Sequence, residues 1–209
     1  GDATFTEITS NGLDSLNNYH LLGAVTGDLN NDGYRELLVT TGPGFPNFLF
    51  ENNGDGTFTD ISLSSGIIAD TSFTTSANMA DFNKDGFLDL YVVNYVLTGV
   101  ILFDTAGLGI GYDHTCIANE IYLNSGSMSF SSSPSYMAGD EGCGLAAVAT
   151  DFDLDTDSDI LIANDFGEWV LPNCLLENNY PSLDFTNVSV PMNMNDSLYG
   201  MGIAVADYD

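Results

Sequence analysis

Apolar residues along this chain fall in short runs such as LLVTT (37–41), LDLYVVNY (88–95) and DILIAN (159–164). The runs are rich in Val, Ile, Leu and Tyr and are bounded by Gly, Asn and Asp, the residues that make turns. No stretch of ten or more residues keeps a helical period of apolar positions. The pattern therefore predicts an all-β chain of short strands.

Self-comparison organises those strands. GAVTGDLNNDGYRELLVTTG (23–42), SANMADFNKDGFLDLYVVNY (76–95) and LAAVATDFDLDTDSDILIAN (145–164) are one segment repeated, and GIAVADYD (202–209) begins a further copy. A second segment follows each full copy: NFLFENNGDGTF (47–58), NEIYLNSGSMSF (119–130) and NCLLENNYPSLDF (173–185). Its tail, FTDIS at 58–62 and FTNVS at 185–189, matches FTEIT at 5–9. Four short strands per unit of about 50–60 residues is the period of a propeller blade. The expected architecture is an all-β β-propeller of about three and a half four-stranded blades, forming part of a larger propeller or completed by other copies. Its blades are placed at 19–65, at 72–135 with an insertion at 98–114 rich in Gly and apolar residues, and at 142–190. A last strand of a preceding blade falls within 1–18 and a first strand of a further blade within 198–209. The residue before each lead aspartate is small (Gly27, Ala80, Thr150, Ala206), which suits inner strands crowding an axis. The residue after it is large (Leu29, Phe82, Phe152, Tyr208), which suits packing between blades.

Between the first two strands of each unit lies a loop of oxygen-bearing side chains. Loop one offers Asp28, Asn30 and Asp32 at positions 1, 3 and 5, and Glu36 at position 9. Loop two offers Asp81, Asn83, Asp85 and Asp89, and loop three Asp151, Asp153, Asp155 and Asp159. Alternating oxygens on a tight turn converge on one point, and Ca²⁺ accepts six to eight of them. Position 7 (Tyr34, Phe87, Asp157) would add its backbone carbonyl, and Gly33 and Gly86 at position 6 allow the turn. An EF-hand needs an acid at position 12 between helices, but Val39, Val92 and Ile162 stand there inside strands. Asp-Gly turns are ordinary hairpin connections, but three copies at one spacing, each crowding carboxylates that repel, point to about three Ca²⁺ sites. Loop three departs from the pattern, with Thr156 in place of Gly. The fourth copy supplies only Asp207 and Asp209, a partial loop.

Charge sharpens the picture. The chain of 209 residues carries 30 Asp+Glu against 2 Lys+Arg, a formal net charge of −28. Such a surface cannot neutralise a row of phosphates, which excludes nucleic acid, and it is repelled by anionic lipid. No run of about 18 apolar residues exists to insert in a membrane as a helix. Residue 1 already reads as part of a strand, as expected after removal of a leader. Three Ca²⁺ offset only a small part of the charge, so a salty or divalent-rich medium is expected to screen the rest.

DLNNDGYRELLVT, DFNKDGFLDLYVVNY and NFLFENNGDGTFTDIS resemble FG-GAP/VCBS-type repeats, the propeller units also found in integrin α-subunits. The order of segments is most similar to the ASPIC/UnbV and cartilage acidic protein branch, where a TC…NEIYLN-like stretch precedes GCGLAAVATDFD, PNCLLENN and YGMGIAVADYD. The resemblance covers nearly the whole chain. It implies a secreted, Ca²⁺-stabilised propeller that binds or adheres rather than catalyses, and carries metal ligation onto the loop residues named above. Thr156, Cys174 and the incomplete last unit depart from the family pattern.

The remaining residues add less. With this strand order Cys116 and Cys143 fall on the blade end opposite the Asp loops, where a disulfide can join them. Cys174 lies at that end too, and three buried thiols is the alternative. Asn187 and Asn195 fit the N-x-[ST] glycosylation pattern, a common tripeptide. His20, His114 and Trp169 stand alone and read as packing or surface residues. A non-catalytic binding module for a protein or glycan is the leading expectation, and a self-assembling subunit joined through open blade edges is the alternative. A carbohydrate-active enzyme would instead need a raised-pKa acid opposite the loops, among Asp113, Asp140, Glu141, Asp165 and Glu168.

Overall fold

A computed structural model describes residues 10–67, 71–132 and 142–206. It contains three four-stranded antiparallel sheets and one hairpin. The first blade orders β1 (Leu21–Gly27), β2 (Glu36–Thr41), β3 (Phe48–Asn52) and β4 (Phe58–Asp60) side by side. The second uses β5 (Thr74–Ala80), β6 (Asp89–Asn94), β9 (Glu120–Asn124) and β10 (Phe130–Ser132) in the same order. The third uses β11 (Cys143–Thr150), β12 (Asp159–Asp165), β13 (Cys174–Asn178) and β14 (Phe185–Asn187). These are blades of propeller type.

The two central strands of each blade are apolar on both faces because each face meets a different neighbour. From β6, Leu90 and Val92 turn to the first blade, joining Leu29, Leu38 and Leu49. The alternate residues Tyr91 and Val93 turn to the third, joining Phe82, Ile160, Ile162 and Leu176. Leu29 and Phe82, the large residues after the lead aspartates, are fully buried in these two layers. The far side of the first blade (Val39, Phe48, Phe50) is covered by Leu13, Leu16 and Tyr19, from a 3₁₀ turn at Asp14–Asn18 and the residue on each side of it.

The first strands carry a register shift at matching places, Leu21/Gly23, Thr74/Ser76 and Gly144/Ala146. Such bulges bend a strand, and here they bring inner strands together. A Cβ on Gly23 would lie 3.0 Å from the Thr75 carbonyl, and Thr75 Oγ1 donates to the Gly144 carbonyl at 3.0 Å. Asn78 Nδ2 likewise donates to the carbonyl of Ala147.

Two boundaries differ from the sequence reading. The insertion is itself ordered as strands, β7 (Val96–Phe103) and β8 (Gly109–Cys116), so it runs from 96 to 116 rather than 98 to 114. Its apolar alternation pairs with itself, which extends the β6–β9 connection as a hairpin. The further first strand expected over 198–209 is not formed in residues 198–206, which meet no pairing strand among the described residues. FTEIT at 5–9, Asp140, Glu141, Asp207, Tyr208 and Asp209 lie outside the described residues.

Candidate metal centres and the opposite face

The three Asp loops fold alike. In loop one, Asp28 accepts from the backbone N–H of Asp32 (Oδ1, 3.1 Å) and Gly33 (Oδ2, 2.9 Å), and Asp32 Oδ1 accepts from Tyr34 N–H at 2.8 Å. Asp81 and Asp85 repeat this with the N–H groups of Asp85, Gly86 and Phe87. Asp151 and Asp155 repeat it with those of Asp155, Thr156 and Asp157. Position 3 joins in, since Asn30, Asn83 and Asp153 each accept from the N–H of position 5. Two residues per loop are left-handed: Asn31, Lys84 and Leu154 at position 4, and Gly33, Gly86 and Thr156 at position 6. Thr156 takes φ 79° where its counterparts are glycine, so loop three keeps the geometry at a steric cost.

Position 9 anchors each loop to its blade. Asp89 accepts from Phe82 N–H (3.0 Å) and Asn124 N–H (2.8 Å), and Asp159 from Phe152 N–H (3.0 Å) and Asn178 N–H (2.9 Å). Glu36 Oε2 accepts from Leu29 N–H at 2.7 Å, and the backbone N–H of Asn52 faces the same carboxyl as those of Asn124 and Asn178 face Asp89 and Asp159. All three carboxyls are buried. Burial, with the neighbouring loop aspartates adding to it, raises Glu36 and pushes Asp89 and Asp159 up to about 6. Asp157 is buried as well, with Oδ1 lacking a partner, and burial pushes it to about 6. Asp155 beside it is lowered, chiefly by the N–H of Asp157.

The third of these loops has the geometry to fit an oxygen-seeking cation. Carboxylate oxygens of Asp151, Asp153 and Asp159 lie within 4.8 Å of one another. The donors are carboxylates and carboxamides, the set a hard divalent ion such as Ca²⁺ takes. The side chains at position 7 of loops one and two do something else: Tyr34 and Phe87 lie where a Cβ on Gly54 or Gly126 would sit, 2.7 Å away. His114, Cys116 and Cys143 also cluster, but both thiols are consumed in a disulfide, with Cα atoms 4.8 Å apart. This is the pairing open from the sequence, and Cys174 is buried outside it, 3.1 Å from Asn187 Nδ2.

The asparagines of the second segment have a role that sequence reasoning did not assign. The first of each pair (Asn47, Asn119, Asn173) accepts through Oδ1 from the N–H of Thr41, Asn94 and Asn164 at the end of the second strand. The second reaches between blades: Asn124 Nδ2 donates to Leu29 O and Asn178 Nδ2 to Phe82 O, at 2.8 and 2.9 Å. The NVS tripeptide at Asn187 has a structural use too. Ser189 is buried and accepts from Leu175 N–H, as Ser62 accepts from Leu49 N–H in the first blade. Asn187 occupies the place of Asp60, accepting from Ser189 N–H and Oγ. Asn195 is exposed on the segment after β14.

Residues 28–92, which hold the first two Asp loops, match the family model described as FG-GAP-like repeat. This stretch is thus similar to FG-GAP-like repeats. It is also similar to cartilage acidic protein 1 of Xenopus tropicalis, 37% identical over 73 residues, which is 35% of this chain and 11% of that protein. The Homo sapiens protein of that name is 44% identical over 50 residues, 24% of this chain and 8% of its own length. The matched part thus spans about a tenth or less of these relatives. The third loop lies beyond the FG-GAP-like match, and its kinship rests on the shared hydrogen bonds above.

The opposite blade end gathers residues that looked solitary. Trp169 and His114 join Phe166, Tyr95, Tyr112 and Tyr199 in one aromatic group. Asp165 is there as well, accepting from Tyr95 Oη–H at 2.7 Å. The sequence hint was the apolar alternation of the insertion; nothing in it signalled that β8 would meet the β12–β13 connection.

Proposed function

We propose that the chain is an extracellular, non-catalytic binding or adhesion module whose FG-GAP-like loops are clamped by Ca²⁺. The observation that carries this reading is one hydrogen-bond scheme repeated in three loops, in which positions 1, 3 and 5 accept from the loop's own backbone above a buried acid at position 9. Asp28, Asn30, Asp32 and Glu36 would hold the first ion, Asp81, Asn83, Asp85 and Asp89 the second, and Asp151, Asp153, Asp155 and Asp159 the third. Tyr34, Phe87 and Asp157 would each supply a carbonyl, and Asp157 brings an extra carboxylate to the third. A bound cation supplies charge neutralisation, allowing carboxylates to crowd at the joint between two strands. The similarity to cartilage acidic protein 1 and the disulfide support the extracellular placement. Among the described residues, the carboxyls that burial raises belong to the loop end, where they would serve the clamps, whereas a glycosidase would need one opposite.

A melt in millimolar Ca²⁺ against excess chelator at matched ionic strength tests the clamp. Free ion at 100 times Kd adds about 2.7 kcal/mol for each site present only in the folded state. An unchanged melting temperature would sink it. Assembly of copies through blade edges is a second reading, supported by the outer side of the third blade. Leu154 there is 84% exposed, although the residues at its position in the other loops, Asn31 and Lys84, each touch the next loop. Light scattering against concentration separates a monomer from such a polymer.

A further inference from the structure

At the end opposite the Asp loops, β8 and the β12–β13 connection meet through rings. The centroids of Tyr112 and Trp169 are 6.0 Å apart at 31°, and Trp169 meets Tyr199 at 6.4 Å and 88°, forming an open corner. Phe166 lies near parallel to Trp169 at 13° and backs the group. Tyr112, Trp169 and Tyr199 are nevertheless 49%, 53% and 51% exposed. Large rings gathered yet half in water mark an interaction site more than a core.

The corner is held in place. Gly167 N–H donates to Leu198 O and Gly200 N–H to Asn164 O, on either side of Tyr199. A Cβ on Gly167 would fall 2.6 Å from Leu198 O, so the close approach depends on glycine. The Cys116–Cys143 bridge ties the foot of β8 to the third blade. Beside Trp169 runs a groove of about 260 Å³ between Ile101, Ile110 and Tyr112, lined also by Gly109 and Gly111. Nothing lies within 4 Å of where a Gly111 side chain would begin.

Charge selects the occupant. Of 32 charged side chains only Arg35 and Lys84 are basic, and both belong to the Asp loops at the other end. Exposed Glu168 precedes Trp169, and Asp165 sits under the group. Aromatic faces attract cations through their quadrupole, and neighbouring carboxylates add to that field. We propose that the corner and groove dock an Arg or Lys side chain from a basic segment of a partner protein. Its aliphatic stem lies along Ile101 and Ile110 and its charged head on Trp169 and Tyr199. The proposal deepens the binding-module reading by naming the partner's chemistry, and it is independent of whether the loops hold Ca²⁺.

Trp169 is the chain's single tryptophan, so its emission reports the corner directly. The 209-residue chain is titrated with amidated tetra-arginine and, in parallel, with maltose as a neutral glycan, at constant ionic strength in millimolar Ca²⁺. A saturable change with tetra-arginine and none with maltose is expected. Tyr199→Ala and Tyr112→Ala, with melts matched to the parent, should each weaken it roughly two- to fivefold. Tetra-arginine leaving the emission unchanged, binding undiminished in both variants, or saturation by maltose alone would each overturn the proposal. The calcium melt is read separately, so failure here is distinct from failure of the loop clamps.

Discussion

Asn178, on the third strand of the third blade, donates through Nδ2 to the carbonyl of Phe82 in the second blade's loop, at 2.9 Å and 96 residues away in sequence. The same amide reaches Ser158 O at 3.3 Å, and its backbone N–H donates to Asp159. One buried side chain thus ties a blade to its neighbour's metal-type loop, and Asn124 does the same between the first two blades. Replacing Asn178 by Ala leaves the Phe82 carbonyl buried without that donor. A loss of about 1–3 kcal/mol is expected, read as a lower denaturant midpoint. Asn52→Ala should cost less, because the Asn52 amide bonds the Arg35 carbonyl at an exposed site.

Thr156 at φ 79° does what Gly33 and Gly86 do without strain. A β-branched residue there costs on the order of 1–3 kcal/mol, and its hydroxyl recovers only an exposed bond from Lys84 Nζ at 3.2 Å. Thr156→Gly should therefore stabilise the chelated protein by about 1 kcal/mol, against the usual cost of added glycine. A thermal melt in chelator checks it, and a lower melting temperature would contradict the strain argument.

Much of this was legible because each blade repeats the same local solution. Short apolar runs bounded by turn residues marked the strands, and the large residue after the lead aspartate marked the layer between blades at Leu29 and Phe82, both fully buried. The Asn pairs were visible as a motif, but their use was not, because Asn124 and Asn178 act on carbonyls of another blade. Trp169 was unreadable for a related reason: its partners Tyr112 and Tyr199 come from an insertion and from a segment after β14. No repeat relates those pieces, and only the folded blades bring them together.

Buried acids set the pH response of the chelated protein. Asp89 and Asp159 titrate near 6 when folded, above the ordinary 3.8, because burial disfavours their charge. A carboxyl raised on folding contributes stability below its unfolded pKa and loses it as pH climbs through the folded one. Stability in chelator should therefore fall between about pH 4 and 6. The Ca²⁺-induced rise in melting temperature should grow over that interval, because the ion needs the charged forms. Asp89→Asn should flatten part of the fall and remove part of the calcium response, whereas a pH-independent calcium shift would separate these acids from the metal.

The Cys116–Cys143 bridge closes a 27-residue separation and fixes the foot of the β7–β8 hairpin against β11. In the loop-closure account a link of this span stabilises by about 3–4 kcal/mol. Among the described residues the hairpin has little else to hold it: Leu97, Val100, Ile101, Phe103 and Ile110 are exposed, and its ring contacts to the third blade are made by Tyr112 and His114. Reduction should thus loosen residues 96–116 before the blades, whose strands are joined by their own ladders and buried layers. Limited proteolysis with and without a thiol reductant, read by mass, tests this. New cuts within 96–116 are the expected result, and first cuts inside β5, β6 or β9 would show that the bridge supports the whole blade instead.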